Sequence, residues 1–126
     1  MLKLKTITQN PKVNLRDRCY QFSLAVIRFM NDLPDKQIYR ILGNQLLRAA
    51  TSVGANIIEA KSSSSRRDFI KFYQISLKSA NETEYWLNLW KDVGLVKSFE
   101  AEALLRELIE IERMLGASLL TLKDKR

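Results

Sequence analysis

Six polar side chains in the middle of the chain, Arg48, Asn56, Glu59, Ser79, Glu82 and Glu84, are of types that could do chemistry. Ser52, Asn56 and Glu59 recur at intervals of four and three, which places them on one helical face. Ser79 and Glu82 share a face in the same way. Glu59 and Glu82, if paired, could move a proton or hold a divalent cation, as in a carboxylate-based hydrolase or nuclease. Turned inward, the same groups need mutual hydrogen bonds, because unpaired buried charge is costly. A structural network of Arg48, Asn56, Glu59, Ser79 and Glu82 explains them without a substrate, and is the reading adopted.

Other chemistry is narrowed by what the chain lacks. It has 126 residues and no histidine, which removes Ser-His-Asp and Cys-His catalysis and histidine metal sites. One cysteine, Cys19, cannot build an intrachain disulfide or a thiolate cluster, and it lies on an apolar stripe as an inert core thiol would. No metal or cofactor is expected. Tyr85, Trp86 and Trp90 could stack on bases, but aromatics at such spacing more often pack in a core or an interface. Ser62 to Ser65 lack the glycines and lysine of a phosphate loop and read as a linker.

The charge is more informative. Lys and Arg number 21 against 14 Asp and Glu, a net +7, which points to an anionic partner. Residues 1–62 carry six of the seven excess charges, and residues 95–126 carry none. Lys3, Lys5, Lys12, Arg16, Arg18, Lys36, Arg40 and Lys61 are expected to face solvent. Arg66, Arg67 and Lys71 extend this surface across the serines, and Lys123, Lys125 and Arg126 add to it. Such side chains neutralise phosphates and release counterions, giving salt-sensitive binding with little base readout.

The elements that position these groups follow from apolar periodicity. Leu15, Cys19, Phe22, Val26, Phe29 and Leu33 keep a 4-3-4-3-4 spacing, and Pro34 stops that helix. Leu42, Leu46, Ala49, Val53, Ile57 and Ala60 mark the second, with Asp35 as its expected N-cap. Gly43 and Gly54 inside it suggest a kink or a close helix contact. Ser65 is placed to cap a third helix, whose core face reads Phe69, Phe72, Ser76, Ser79, Thr83, Trp86 and Trp90, and Gly94 to end it. Leu104, Leu108, Ile111, Leu115 and Leu122 define the fourth, with Leu105, Ile109 and Leu120 as a second flank. Helices over about 14–33, 35–62, 65–93 and 98–123 predict an all-α, antiparallel up-down-up-down four-helix bundle, one domain over 1–126. The first residues lack a signal peptide's apolar run, and no stretch suits a membrane span, so the expected location is cytoplasmic with no membrane partner.

The run Gln45-Leu46-Leu47-Arg48-Ala49-Ala50-Thr51-Ser52-Val53-Gly54-Ala55-Asn56-Ile57-Ile58-Glu59-Ala60 resembles a known signature, Q-x-R-R-A-A-x-S-I-x-x-N-I-A-E-G. The signature belongs to the four-helix bundle proteins encoded in intervening sequences of bacterial large-subunit ribosomal RNA. The resemblance continues through Phe69 to Ser76, Ser79 to Glu84, Asp92 to Val96 and Ile111 to Leu115, covering about residues 15–122. Leu47 replaces an arginine of the signature, Gly54 a common proline and Ala60 a glycine. The resemblance implies a homopentameric barrel with a positive channel or rim. It also implies kinship with the accessory variability proteins of diversity-generating retroelements, which are thought to bind structured RNA and a reverse transcriptase. Members are not known as enzymes. Arg40, Arg48 and the Arg66-Arg67 pair become candidates for RNA contact on this ground.

The expected function is therefore a non-enzymatic, oligomeric RNA-binding protein, with an accessory role to a reverse transcriptase as its most specific form. Its expected nucleic-acid contacts are Arg16, Arg18, Lys36, Arg40, Arg48, Lys61, Arg66, Arg67 and Lys71. The alternative is a protein-interaction scaffold whose basic face meets an acidic protein partner.

Overall fold

The computed structural model describes residues 14–124, so Lys3, Lys5, Lys12, Lys125 and Arg126 lie outside the described residues. Four α-helices follow in order: α1 Leu15–Asn31, α2 Gln37–Lys61, α3 Arg66–Val93 and α4 Ser98–Asp124. Among the described residues there is no strand. Each boundary has a local cause. The Asn14 side chain accepts the Asp17 N–H at 2.9 Å and starts α1. The Ser65 hydroxyl accepts the Asp68 N–H at 3.1 Å and starts α3. Gly94, at φ +84°, takes the left-handed turn that ends α3, and the Leu95 N–H returns to the Trp90 carbonyl at 3.1 Å.

Asp35 does not cap α2. The Lys36 N–H bonds the Pro34 carbonyl at 3.1 Å, a tight turn that carries Asp35 outside the helix. Lys36 is the N-cap, with no side-chain capping bond, and the Asp35 carboxylate lies 2.5 Å from Arg40 instead.

The helices form a square in which α1 and α3 each pack against α2 and α4. Partners on α3 fall in number as those on α2 rise: Arg48 with Glu82, Ser52 with Ser79, and the Val53 carbonyl with Ser76. That register is antiparallel. Inside sit Cys19, Phe22, Val26, Leu46, Val53, Leu87, Trp90, Leu104, Leu108, Ile111 and Leu115. Trp90 packs against Phe29 and Tyr39, with ring centroids 6.4 and 5.8 Å away.

The buried face of α3 is rotated from the expected one. Ser76, Ala80, Thr83, Leu87 and Trp90 are buried, whereas Phe69, Phe72, Ser79 and Trp86 are half-buried at its margins. Small residues hold the inner face because α2 approaches there: Ser76 donates to the Val53 carbonyl at 2.7 Å. Two large apolar side chains on the second flank of α4, Ile109 and Leu120, are exposed, while Leu105 is buried.

Arg18 is the largest departure. Expected on the surface, it is 8% exposed and points into the α1–α4 seam. Its Nε donates to Glu107 Oε1 at 2.9 Å and its Nη2 to Oε2 at 3.2 Å, while Nη1 faces the Met114 sulfur at 3.7 Å. Glu107 has no exposed surface. The forked guanidinium satisfies both carboxylate oxygens, which is how a charge is kept out of water. Charge counting hides this pair, because Arg18 adjoins the stripe residue Cys19 while its carboxylate partner lies on another helix.

Gly54 marks a close contact rather than a kink, since α2 runs unbroken through it. A Cβ there would lie 3.2 Å from the Cys19 Cβ and 3.6 Å from the Cys19 backbone. At Gly43 the near atom is the Met30 methyl, the flexible end of a side chain. Gly116 faces open space.

Two outcomes are expected in denaturant unfolding. Arg18→Met strands a buried carboxylate and costs about 3–5 kcal/mol, and adding Glu107→Leu recovers most of that loss. Gly54→Ala destabilises by pushing α1 away, whereas Gly116→Ala raises stability by about 0.5–1 kcal/mol through helix propensity.

Candidate nucleic-acid interface

Antiparallel packing brings the start of α1, the end of α2, the start of α3 and the end of α4 to one pole. The polar linker between α2 and α3 is short, so the basic residues on either side of it stay close. A groove of about 750 Å³ opens there, lined by Arg66, Arg67, Asp68, Ile70, Lys71, Gln74 and Lys123. A second depression of about 490 Å³ adjoins it, lined by Lys61, Ser63, Ser64, Ser65, Arg66 and Phe69 among others.

The field in the groove is positive for two reasons. Four cationic side chains line it against one carboxylate, Asp68. The unsatisfied N–H groups of the first turn of α3 add a partial positive charge. Arg66 donates to the Leu122 carbonyl, tying the start of α3 to the end of α4. Arg67, Lys71 and Lys123 form no salt bridge among the described residues.

The nine predicted contacts are thus divided. Lys61, Arg66, Arg67 and Lys71 gather at this pole. Arg16 is exposed at the start of α1, 3.8 Å from Asp17, and lines a separate groove of about 440 Å³ with Tyr20, Gly54 and Ile58. Lys36 and Arg40 occupy the opposite pole, where Arg40 is paired with Asp35. Arg48 lies midway, bonded to Gln45 and Glu82. Arg18 is in the core.

The polar network is also divided. Asn56 donates to the Ser52 carbonyl at 2.8 Å and to its hydroxyl at 3.0 Å, and Ser79 donates to the same hydroxyl at 2.9 Å. Glu82 belongs to a separate surface cluster, accepting from Arg48 and from the Trp86 indole at 3.0 Å. Those two donors, Trp86 foremost, hold its carboxyl below the usual range. Glu59 is exposed and joins neither group. It lies eleven residues along α2 from Arg48, about 16 Å, too far to pair with Glu82. Leu47, where the family signature has arginine, is half-buried against the core.

Two carboxylates do meet, and they are not the expected ones. Glu84 on α3 and Glu112 on α4 face each other, and Glu112 Oε2 is buried without a hydrogen-bond partner. Burial, then Glu84, push the Glu112 carboxyl up to about 7. Glu84 was visible as part of a polar set, but its partner lies on another helix, and spacing carries no signal between helices.

Of the aromatics, Trp90 is core, Trp86 is half-buried and Tyr85 is 59% exposed. Burial pushes the Cys19 thiol up to about 12, with Glu107 acting in the same direction, so it is no nucleophile near neutral pH. Among the described residues no three ligating side chains cluster as a metal site, and no helix is long and apolar enough to cross a membrane.

Fold and site together define a four-helix bundle with a basic groove at one pole. Residues 12–117 match the model of the 23S rRNA-intervening sequence protein family, and the chain belongs to that family. A crystal structure of a protein of unknown function from the S23 ribosomal protein family of Bacteroides thetaiotaomicron VPI-5482 is similar. It has a TM-score of 0.80 and 34% identity, over 84% of this chain and 98% of that one. No curated protein matches.

The carboxyl pair has a pH signature. Because the native state holds the Glu112 proton more tightly than the unfolded chain, this group's contribution to stability is full below the ordinary carboxyl value of 4.5 and is lost as pH rises through about 7. After allowance for partial solvent access the loss is about 1–2 kcal/mol. Glu112→Gln, which can donate to Glu84 without titrating, is expected to flatten this part of the wild-type profile in thermal melts from pH 5 to 8, roughly the interval bracketing the transition.

Proposed function

We propose that this protein is a non-enzymatic RNA-binding bundle of the cytoplasm, holding phosphates in the polar groove. The observation that carries the reading is the groove itself, where Arg66, Arg67, Lys71 and Lys123 converge on the start of α3. Side chains of this kind hold a sugar-phosphate backbone by charge, with little selection among bases. The family description, which names 23S ribosomal RNA, makes RNA the favoured polyanion.

Within this reading the protein acts as a homo-oligomer. Tyr20, Ile27 and Ile58 leave large apolar side chains exposed on α1 and α2, which favours self-association, and each added copy repeats the basic pole. The homopentamer and a reverse-transcriptase partner are the specific forms that the family resemblance suggests.

Fluorescence anisotropy with a labelled RNA, at about 50 and 200 mM salt, tests the groove. Wild type is expected to bind at the lower concentration and to weaken steeply at the higher. The double variant Arg67→Gln/Lys71→Gln is expected to bind more weakly, with a salt slope reduced by about one per side chain. Binding that ignores salt, or none at the lower salt, refutes the reading. Recovery of an acidic protein after nuclease treatment would favour the scaffold alternative.

A further inference from the structure

The outer ridge of α3 continues the groove along the length of the bundle. Arg67, Lys71, Gln74, Lys78, Asn81 and Tyr85 follow at intervals of 4-3-4-3-4, and every one of them is exposed. At 100° per residue, Arg67 and Tyr85 are separated by five full turns and lie on one line, about 27 Å apart. The ridge contains no carboxylate. The acids of α3 are placed elsewhere: Asp68 in the cap, Glu82 against Arg48, Glu84 against Glu112, and Asp92 beyond the end of the row.

Its two ends differ in chemistry. The first turns present Arg67 and Lys71 in the groove, with Gln74 beside them. Lys78 carries the positive charge along the ridge, and the Asn81 amide offers neutral hydrogen bonds. Tyr85 closes the row, 59% exposed, and its ring meets the Trp86 ring edge-on at 5.1 Å and 72°. Trp86 is anchored by Glu82 at 3.0 Å, so the ring that Tyr85 meets is held in place while most of the tyrosine stays exposed.

We infer that this ridge is a track for single-stranded RNA, with phosphates held from Arg67 to Lys78 and a base stacked on Tyr85. Single-stranded RNA is the occupant because cations in line with an open aromatic ring suit a backbone whose bases are free. A duplex presents phosphates but no open base face. The inference rests on the RNA-binding reading above and goes beyond it in naming Lys78, Asn81 and Tyr85 and the strandedness of the ligand.

The test compares a labelled oligouridylate with a blunt RNA duplex of equal length, using the full chain in anisotropy titrations. Wild type is expected to prefer the single strand. Lys78→Gln should weaken single-strand binding severalfold and lower the salt slope by about 0.7, one phosphate contact. Tyr85→Ala should weaken it about tenfold with the slope unchanged, and Tyr85→Phe should retain it. Both positions are on the surface, and matching thermal melts would show that the variants fold. Wild-type affinity in both Lys78→Gln and Tyr85→Ala, or a preference for duplex, overturns the track, while sensitivity to Arg67→Gln/Lys71→Gln would leave the groove reading standing. No binding by wild type refutes both.

Discussion

The buried ion pair between Arg18 and Glu107 is the constraint on which the bundle depends. In the square arrangement α1 has two neighbours, α2 and α4, and the pair is its polar tie to α4. A forked donor buried against a carboxylate tolerates little rotation of either helix. The rotation it permits turns Cys19 and Phe22 inward and sets the Cys19 Cβ against Gly54. The ion pair and the glycine contact thus hold α1 from two sides. Apolar packing alone would be more permissive, because a stripe of leucines and phenylalanines can slide or rotate at modest cost.

Much of this architecture was legible in the residues. Pro34, the serine linker and Gly94 separate four periodic runs, and the stripes of α1, α2 and α4 are largely the buried ones. The α3 stripe differs from the buried face for a physical reason. Aromatic residues suggest a core, yet where two backbones approach closely only Ser76, Ala80 and Thr83 fit, and Phe69, Phe72 and Trp86 move to the margins while Trp90 stays inside. The N-cap falls on Lys36, one residue beyond Asp35, because the turn after Pro34 is invisible to capping rules.

The candidate site was legible in composition and less so in position. Lys61, Arg66, Arg67 and Lys71 surround the linker in sequence, so their convergence follows from connectivity. Arg18, Glu59 and Glu112 could not be placed, because their environment is set by another helix. Arg18 reads as one more surface cation until Glu107, far along the chain, is brought opposite it. The result narrows the meaning of a net charge of +7. Part of the positive charge is structural or matched on the surface, while Arg67, Lys71 and Lys123, unpaired among the described residues, gather at one pole and Lys78 continues them along one ridge.

The ion pair also joins residues 89 positions apart. On a ribosome adding roughly 5–20 residues per second, Glu107 follows Arg18 by about 4–18 s. The α2–α3 hairpin, whose partners are local, can close well within that interval. Helix α1 meanwhile has an unmatched guanidinium beside Cys19 and Phe22, and only its α2 side, with the Cys19–Gly54 contact, to set its rotation until α4 arrives. Of the four helices, α1 is made before the others yet is locked on its α4 side only when a single carboxylate is delivered.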